Sequence, residues 1–128
     1  NKKIPIYGDG KNVRDWIFVE DHIDALLTVV LRGKVGDSYC IGAGVQKSNN
    51  EIVELVCNLL DKQNTFNAPH NRLKSYVNDR TGHDFRYAIN YKKISNNLKW
   101  KPKYNFENAM ELTVKWYVKN IDWCDKFL

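Results

Sequence analysis

Two arginines lie in polar segments that predict exposed loops. Arg14 follows the Gly-rich stretch 8–12, and Arg80 lies in the segment 78–84, three residues before His83. The planar guanidinium group of arginine suits bidentate hydrogen bonding to phosphate oxygens. Each arginine by itself is more typical of a surface salt bridge. Together, on loops from opposite ends of one domain, they indicate a site for a diphosphate.

Asn49 is a third binding candidate because it lies at the start of a predicted helix. The sequence Ser48-Asn49-Asn50-Glu51 fits a capping box. The first turn of a helix has free backbone N–H groups, so a polar side chain there can meet a ligand. The alternative is that Asn49 is only a neighbour of the helix cap.

Two short patterns imitate motifs of NAD-dependent enzymes without the required context. Gly42-x-Gly44 resembles the start of a dinucleotide fingerprint, but Lys47 stands where the third glycine should be, so a tight turn is favoured. Tyr7-x-x-x-Lys11 would need a helix to put both side chains on one face, whereas the glycines between them predict a turn. We therefore assign no catalytic and no cofactor-binding residue in this chain.

The histidines and cysteines predict neither a metal site nor a nucleophilic enzyme. Their spacing fits no common ligand pattern, and no Ser or Cys lies in a G-x-S-x-G turn. An odd number of widely spaced cysteines favours free thiols in a reducing cytoplasm. Cys40 and Cys57 lie in apolar segments, so we expect both to be buried.

Length and composition predict one domain. The chain has 128 residues, 43% of them hydrophobic, and no apolar run near the roughly 20 residues that span a bilayer. The net charge of +5 could attract nucleic acid, but the lysines are spread over predicted helix surfaces, which favours a solvated face. The first residues lack an initiator Met and a signal peptide, so we expect a fragment boundary there.

The predicted elements mix helices and short strands in an α/β or α+β unit. The runs 4–7 and 14–19 predict a hairpin, and 39–41 and 73–77 predict further strands. Four helices are predicted by their apolar spacing and end signals. The first is capped by Asp21 and ends near Gly33, the second follows Ser48, the third is capped by Asn90, and the last covers 106–118, with Asn120 to end it. Residues 63–71 predict a loop.

Several longer segments, in order, resemble the dTDP-glucose 4,6-dehydratase family of extended short-chain dehydrogenases/reductases. The stretch from Pro5 to His22 contains Arg14-Asp15-Trp16 followed by Val19-Glu20-Asp21-His22. Later come Tyr39-Cys40-Ile41-Gly42, Asp79-Arg80-Thr81-Gly82-His83-Asp84 with Arg86-Tyr87-Ala88-Ile89, and Leu98-Lys99-Trp100-Lys101-Pro102. The resemblance covers nearly the whole chain.

The resemblance implies that residues 1–128 are the nucleotide-sugar-binding, C-terminal domain of such an enzyme. The NAD fingerprint and the acid–base residues belong to a preceding Rossmann domain, so this chain alone would be inactive, and it would expose an apolar patch where that domain packs. The parent would be a cytoplasmic homodimeric lyase that acts on dTDP-glucose with bound NAD to supply deoxysugars such as rhamnose, without nucleic-acid or membrane partners. The implied substrate-binding residues are Pro5, Tyr7, Arg14, Asn49, Arg80 and His83.

A related nucleotide-sugar epimerase or decarboxylase is the first alternative, because these enzymes share the fold and the phosphate contacts. A basic nucleic-acid-binding module is the second alternative. The Arg-Asp-Trp segment favours the dehydratase, and the lack of an aromatic-basic recognition motif argues against RNA binding.

Overall fold

The computed structural model describes residues 2–63 and 67–127. Its strands are β1 Ile4–Tyr7, β2 Val13–Asp15, β3 Gln46–Ser48 and β4 Lys74–Val77. Its helices are α1 Val19–Arg32, α2 Asn49–Gln63, α3 Lys92–Leu98, α4 Phe106–Lys119 and α5 Ile121–Cys124, with a 3-10 helix at His70–Leu73. The predicted α/β class is confirmed. Of the loop predicted at 63–71, residues 64–66 lie outside the described residues.

The strands form two small sheets rather than the predicted hairpin. β1 pairs in parallel with β4, so that Tyr7 lies opposite Val77. β2 pairs antiparallel with β3, so that Val13 lies opposite Ser48. The hairpin prediction is wrong because the β1–β2 loop turns the chain away between two sheets. Gly10 in that loop has a positive φ of 70°, and a Cβ there would lie 2.2 Å from the side chain of Asn50.

Helix α2 begins with the predicted capping box. The Ser48 N–H donates to Glu51 Oε2 at 2.8 Å, and the Glu51 N–H donates to Ser48 Oγ at 3.3 Å. Ile52 and Cys57 are buried on the inner side of the helix. Because β3 ends at Ser48, the start of α2 is fixed next to β2.

The main core lies between α1 and α3. Ala25, Ile94, Leu98 and Trp100 are buried there. Asp21 is also buried, and its two oxygens accept the backbone N–H groups of residues 103 and 104 at 2.9 and 3.2 Å. The prediction that Asp21 caps α1 is wrong. The cap position is Phe18. Asp21 instead binds the backbone of the segment that precedes α4.

The segment 39–41 is not a strand, and Cys40 is exposed, so both predictions are wrong here. Its backbone pairs with no strand of the described residues. The Tyr39 hydroxyl accepts the N–H of Lys34 at 3.2 Å, and Lys93 lies 4.9 Å from the Tyr39 ring centroid. Cys57 is buried as predicted, and burial raises the pKa of its thiol.

The prediction that Asn90 caps α3 is wrong, whereas Asn120 ends α4 as predicted. Asn90 Oδ1 accepts the Lys92 N–H at 3.0 Å at the start of α3, although Tyr91 occupies the cap position. The Asn120 N–H donates to the Trp116 carbonyl at 3.0 Å where α4 ends. α5 follows directly and is one helix more than predicted.

Two apolar surfaces face outward. The α1 stripe comprises Ile23, Leu26, Leu27, Val30 and Leu31, which are 46 to 79% exposed. The second surface includes Trp116 and Tyr117 of α4, which are 47 and 56% exposed and line an open groove of about 780 Å³ between α4 and residues 16–20. None of the helices described is long and apolar enough to cross a membrane.

Candidate functional site

The carboxyl ends of β1 and β4 lie side by side because the two strands are parallel. The β1–β2 loop and the 78–84 loop therefore leave the sheet at the same edge. The Gly8 N–H donates to the Val77 carbonyl at 3.0 Å. A Cβ on Gly8 would lie only 2.9 Å from Asp79 Oδ2, so the carboxylate of one loop occupies the space that a side chain at Gly8 of the other loop would need.

Asp79 organises the 78–84 loop, which carries Arg80 and His83. Its Oδ1 accepts the Arg80 N–H at 2.9 Å and lies 2.6 Å from Nδ1 of His83. The hydrogen bond from His83 is the main cause that holds the pKa of Asp79 below its ordinary value, and the Arg80 N–H adds to it. Asp79 is therefore ionised near neutral pH, and the side chain of His83 is only 8% exposed.

Arg14 projects from β2 onto the end of the same loop. Its Nη1 donates to the Val13 carbonyl at 2.7 Å, and its Nη2 donates to the Asp84 carbonyl at 2.9 Å. Its Cζ lies 4.6 Å from the centroid of the Tyr87 ring. These bonds use two of the five N–H donors of the guanidinium group, so the side chain is held in place with donors left for a ligand.

Tyr87 lies against Arg14 and is hydrogen-bonded to Asp84. Its hydroxyl donates a hydrogen bond to the Asp84 carboxylate, which raises the pKa of the Tyr87 phenol above its ordinary value. The positive charges of Arg14 and Arg80 act on this pKa in the opposite direction. The structure thus brings the guanidinium group of Arg14, on β2, to the end of the loop that carries Arg80.

The start of α2 is tied to the β1–β2 loop, which places Asn49 beside it. The Asn49 N–H donates to the Asn12 carbonyl at 3.1 Å, so this particular N–H is not free for a ligand. Asn50 donates its backbone N–H to the Gly10 carbonyl at 3.0 Å and its side-chain amide to the Asp9 carbonyl at 2.8 Å. Any contact from Asn49 must therefore come from its side chain.

Pro5 and Tyr7 lie on one face of β1, since they alternate with the buried Ile6. Both are exposed, Tyr7 by 49%. This face ends at the edge where the two loops meet, because Tyr7 is the last residue of the strand.

The sequence reasoning missed three residues that hold the candidates in place, namely Asp79, Asn50 and Tyr87. Asp79 stands directly before Arg80 and four residues before His83, a spacing that could have signalled the pair. The other two give no signal in sequence, because their contacts cross between distant segments.

The Gly42–Gly44 turn binds a carboxylate of the chain itself. Asp15 Oδ1 accepts the N–H groups of Ala43 at 2.9 Å and Gly44 at 3.2 Å. These donors are therefore not available to a dinucleotide pyrophosphate. The described residues include no group of three or more His, Cys, Asp or Glu arranged to hold a metal ion.

A family model described as GDP-mannose 4,6 dehydratase matches residues 1–113. The chain is 46% identical to a dTDP-glucose 4,6-dehydratase of Escherichia coli over 124 residues, which are 97% of this chain and 34% of that protein. The crystal structure of a dTDP-glucose 4,6-dehydratase from Bacillus anthracis in complex with NAD superimposes with a TM-score of 0.83 at 46% identity, covering 95% of this chain and 36% of that one. A UDP-glucose 4-epimerase from Thermotoga maritima, crystallised with UDP-glucose, reaches a TM-score of 0.76 at 27% identity, covering 93% and 36%. The chain thus spans about a third of the length of the proteins it matches.

Proposed function

The chain belongs to the family described as GDP-mannose 4,6 dehydratase, and from this premise we propose that it is the substrate-binding portion of a dTDP-glucose 4,6-dehydratase. The whole enzyme would convert dTDP-glucose to dTDP-4-keto-6-deoxyglucose and water. The observation that carries the proposal is that Arg14, on β2, lies over the Tyr87 ring and donates to the Asp84 carbonyl at the end of the loop that carries Arg80.

The proposed site binds the nucleotide diphosphate by charge and by shape. Arg14 and Arg80 donate to the diphosphate oxygens, and charge-assisted bonds of this kind are the stronger ones. Asn49 and His83 add polar contacts at the rim. Pro5 and Tyr7 offer an exposed, partly apolar strand face as a wall for the nucleoside.

We assign NAD to residues of the parent outside this chain. The described Gly42–Gly44 turn does not fit a dinucleotide, because Asp15 occupies its N–H donors. The hydride and acid–base chemistry would therefore belong to an N-terminal Rossmann domain, and the 128-residue chain would bind and orient the substrate. A cytoplasmic, homodimeric parent without nucleic-acid or membrane partners completes the proposal.

The proposal is tested by substituting each arginine in the full-length protein. Arg14→Ala and Arg80→Ala are each expected to weaken the binding of dTDP and dTDP-glucose by about ten- to hundredfold, since each removes charged hydrogen bonds. Calorimetric titration measures both ligands and NAD, whose affinity should not change. Arg72→Ala, in the 3-10 helix, is the matched control. Unchanged dTDP affinity in both variants would reject the site.

A nucleotide-sugar epimerase is the second candidate, because the chain also superimposes on a UDP-glucose 4-epimerase. The higher identity to the dehydratases favours the first candidate. Incubation of the full-length protein with dTDP-glucose and UDP-glucose separates them, since loss of water from the sugar occurs only with a dehydratase.

A further inference from the structure

Asp79 and His83 form a hydrogen-bonded pair in the 78–84 loop, in which the Asp79 side chain is 42% exposed and the His83 side chain 8%. Asp79 Oδ1 lies 2.6 Å from Nδ1 of His83, and Oδ2 faces the backbone of Gly8. The Asp79 carboxylate thus lies where the two loops meet, at the edge of the sheet. Within residues 2–63 and 67–127, Nε2 of His83 makes no hydrogen bond, and it is not fully buried. The small exposed part of the ring therefore includes Nε2.

The carboxylate determines which ring nitrogen carries a proton. An ionised Asp79 can only accept a hydrogen bond, so Nδ1 of His83 must be the donor. In a neutral imidazole ring, Nε2 then has a lone pair and no proton. A diphosphate oxygen is also only an acceptor, so it cannot bond to Nε2 until a second proton is bound there.

We propose that Asp79 is a positioning residue that turns Nε2 of His83 toward the bound diphosphate, and that binding is coupled to the uptake of one proton at Nε2. The inference rests on the proposed function, since it assumes that the diphosphate lies at this edge. One proton moves from solvent to Nε2 of His83. Nε2 then donates a hydrogen bond to a phosphate oxygen, while Nδ1 continues to donate to Asp79.

The charged groups around the ring act in both directions. On the same loop, Asp79 contributes negative charge and Arg80 positive charge. From β2, Arg14 approaches the end of the loop at the Asp84 carbonyl, and the Asp84 carboxylate is engaged by Tyr87. From the β1 side, the pair meets the Gly8 backbone. The diphosphate adds negative charge to this set, which favours a doubly protonated ring in the complex.

The first experiment measures protons taken up on binding. The probe is the methyl ester of dTDP on its terminal phosphate, because its diphosphate has no group that titrates near neutral pH. Calorimetric titration of the full-length protein in buffers of different ionisation enthalpy should show uptake approaching about one proton at about pH 8, where histidine is ordinarily neutral. His83→Gln, whose amide donates at every pH, should show no uptake and a flat affinity between about pH 6 and 8.

The second experiment tests the role of Asp79. Asp79→Ala and His83→Ala should each weaken binding of the methyl ester by about tenfold or more, and the double variant should lose no more than either single variant. Asp79→Asn should be intermediate, because its amide oxygen still accepts from Nδ1. Binding of thymidine, which has no phosphate, should stay the same in all variants, and this separates the effect from misfolding.

The outcomes distinguish the inference from the function it rests on. Binding of the methyl ester without proton uptake would overturn the inference and leave the proposed site intact. Additive losses in the double variant would overturn the positioning role of Asp79. If the unsubstituted protein binds neither the methyl ester nor dTDP at any pH, the proposed function fails, and the inference with it.

Discussion

Arg14 is held in one conformation by contacts that the sequence does not reveal. Two backbone carbonyls accept its guanidinium N–H groups, and the Tyr87 ring lies beneath it. At the scale of single residues, the candidate phosphate ligands could be chosen from residue type and loop setting alone. Of the residues that support them, Asp79 could have been chosen from its spacing to His83, whereas Tyr87 could not, because it contacts Arg14 only when separate segments meet.

Tyr87 is expected to contribute to diphosphate binding through Arg14. Tyr87→Leu removes the ring beneath the guanidinium and should weaken dTDP binding by about two- to fivefold. Tyr87→Phe keeps the ring and should lose less. In an Arg14→Ala background, Tyr87→Leu should have no further effect. Equal losses in the two backgrounds, measured by calorimetric titration, would contradict this role.

At the scale of elements, the sequence predicted what is local and missed what is distant. Helix α2 follows from its capping box and its regular apolar spacing, both of which lie within one segment. The pairing of β1 with β4 joins segments from opposite halves of the chain, and a strand of four residues holds too little pattern to specify its partner. Segment 39–41 has a β-prone sequence but pairs with no strand of the described residues.

The arrangement of the β1–β2 loop and the 78–84 loop depends on Gly8, where the two loops meet. It has a φ of 59°, and a Cβ would lie 2.9 Å from Asp79 Oδ2. Gly8→Ala should therefore displace the carboxylate and weaken dTDP binding. It should also lower the free energy of unfolding by about 1–2 kcal/mol, the cost of left-handed backbone in a residue with a Cβ.

Gly36→Ala is the matched control for Gly8→Ala. Gly36 has a φ of 84°, but a Cβ there would have no neighbour within 4 Å. The control should show a similar loss of stability in chemical denaturation without any change in dTDP affinity. If both variants bind dTDP equally well, the contact between Gly8 and Asp79 does not matter for the site.

At the scale of the whole molecule, some apolar side chains form the core and others form a face that is exposed to solvent. The spacing of the α1 stripe predicts an amphipathic helix, but spacing does not tell which face of the helix meets the rest of the chain. In the structure, Asp21, Ala25 and Thr28 face inward, and the α1 stripe faces outward. The inner face is chosen by tertiary contacts, above all by the bonds from Asp21 to the segment before α4.

The α1 stripe is expected to make the isolated 128-residue chain associate with itself. Val30 and Leu31 are each 79% exposed, and a contiguous apolar surface of this kind loses contact with water when two copies meet. Sedimentation analysis should show an average mass that rises with concentration. Val30→Glu with Leu31→Glu should suppress this rise at little cost in stability, because neither side chain contributes to the core.

Asn96→Glu with Asn97→Glu, on the exposed side of α3, is the matched control. This pair makes the same change of charge away from the α1 stripe and should not suppress the rise in mass. A chain that stays monomeric at all concentrations, or equal suppression by both pairs, would show that the α1 stripe does not drive association.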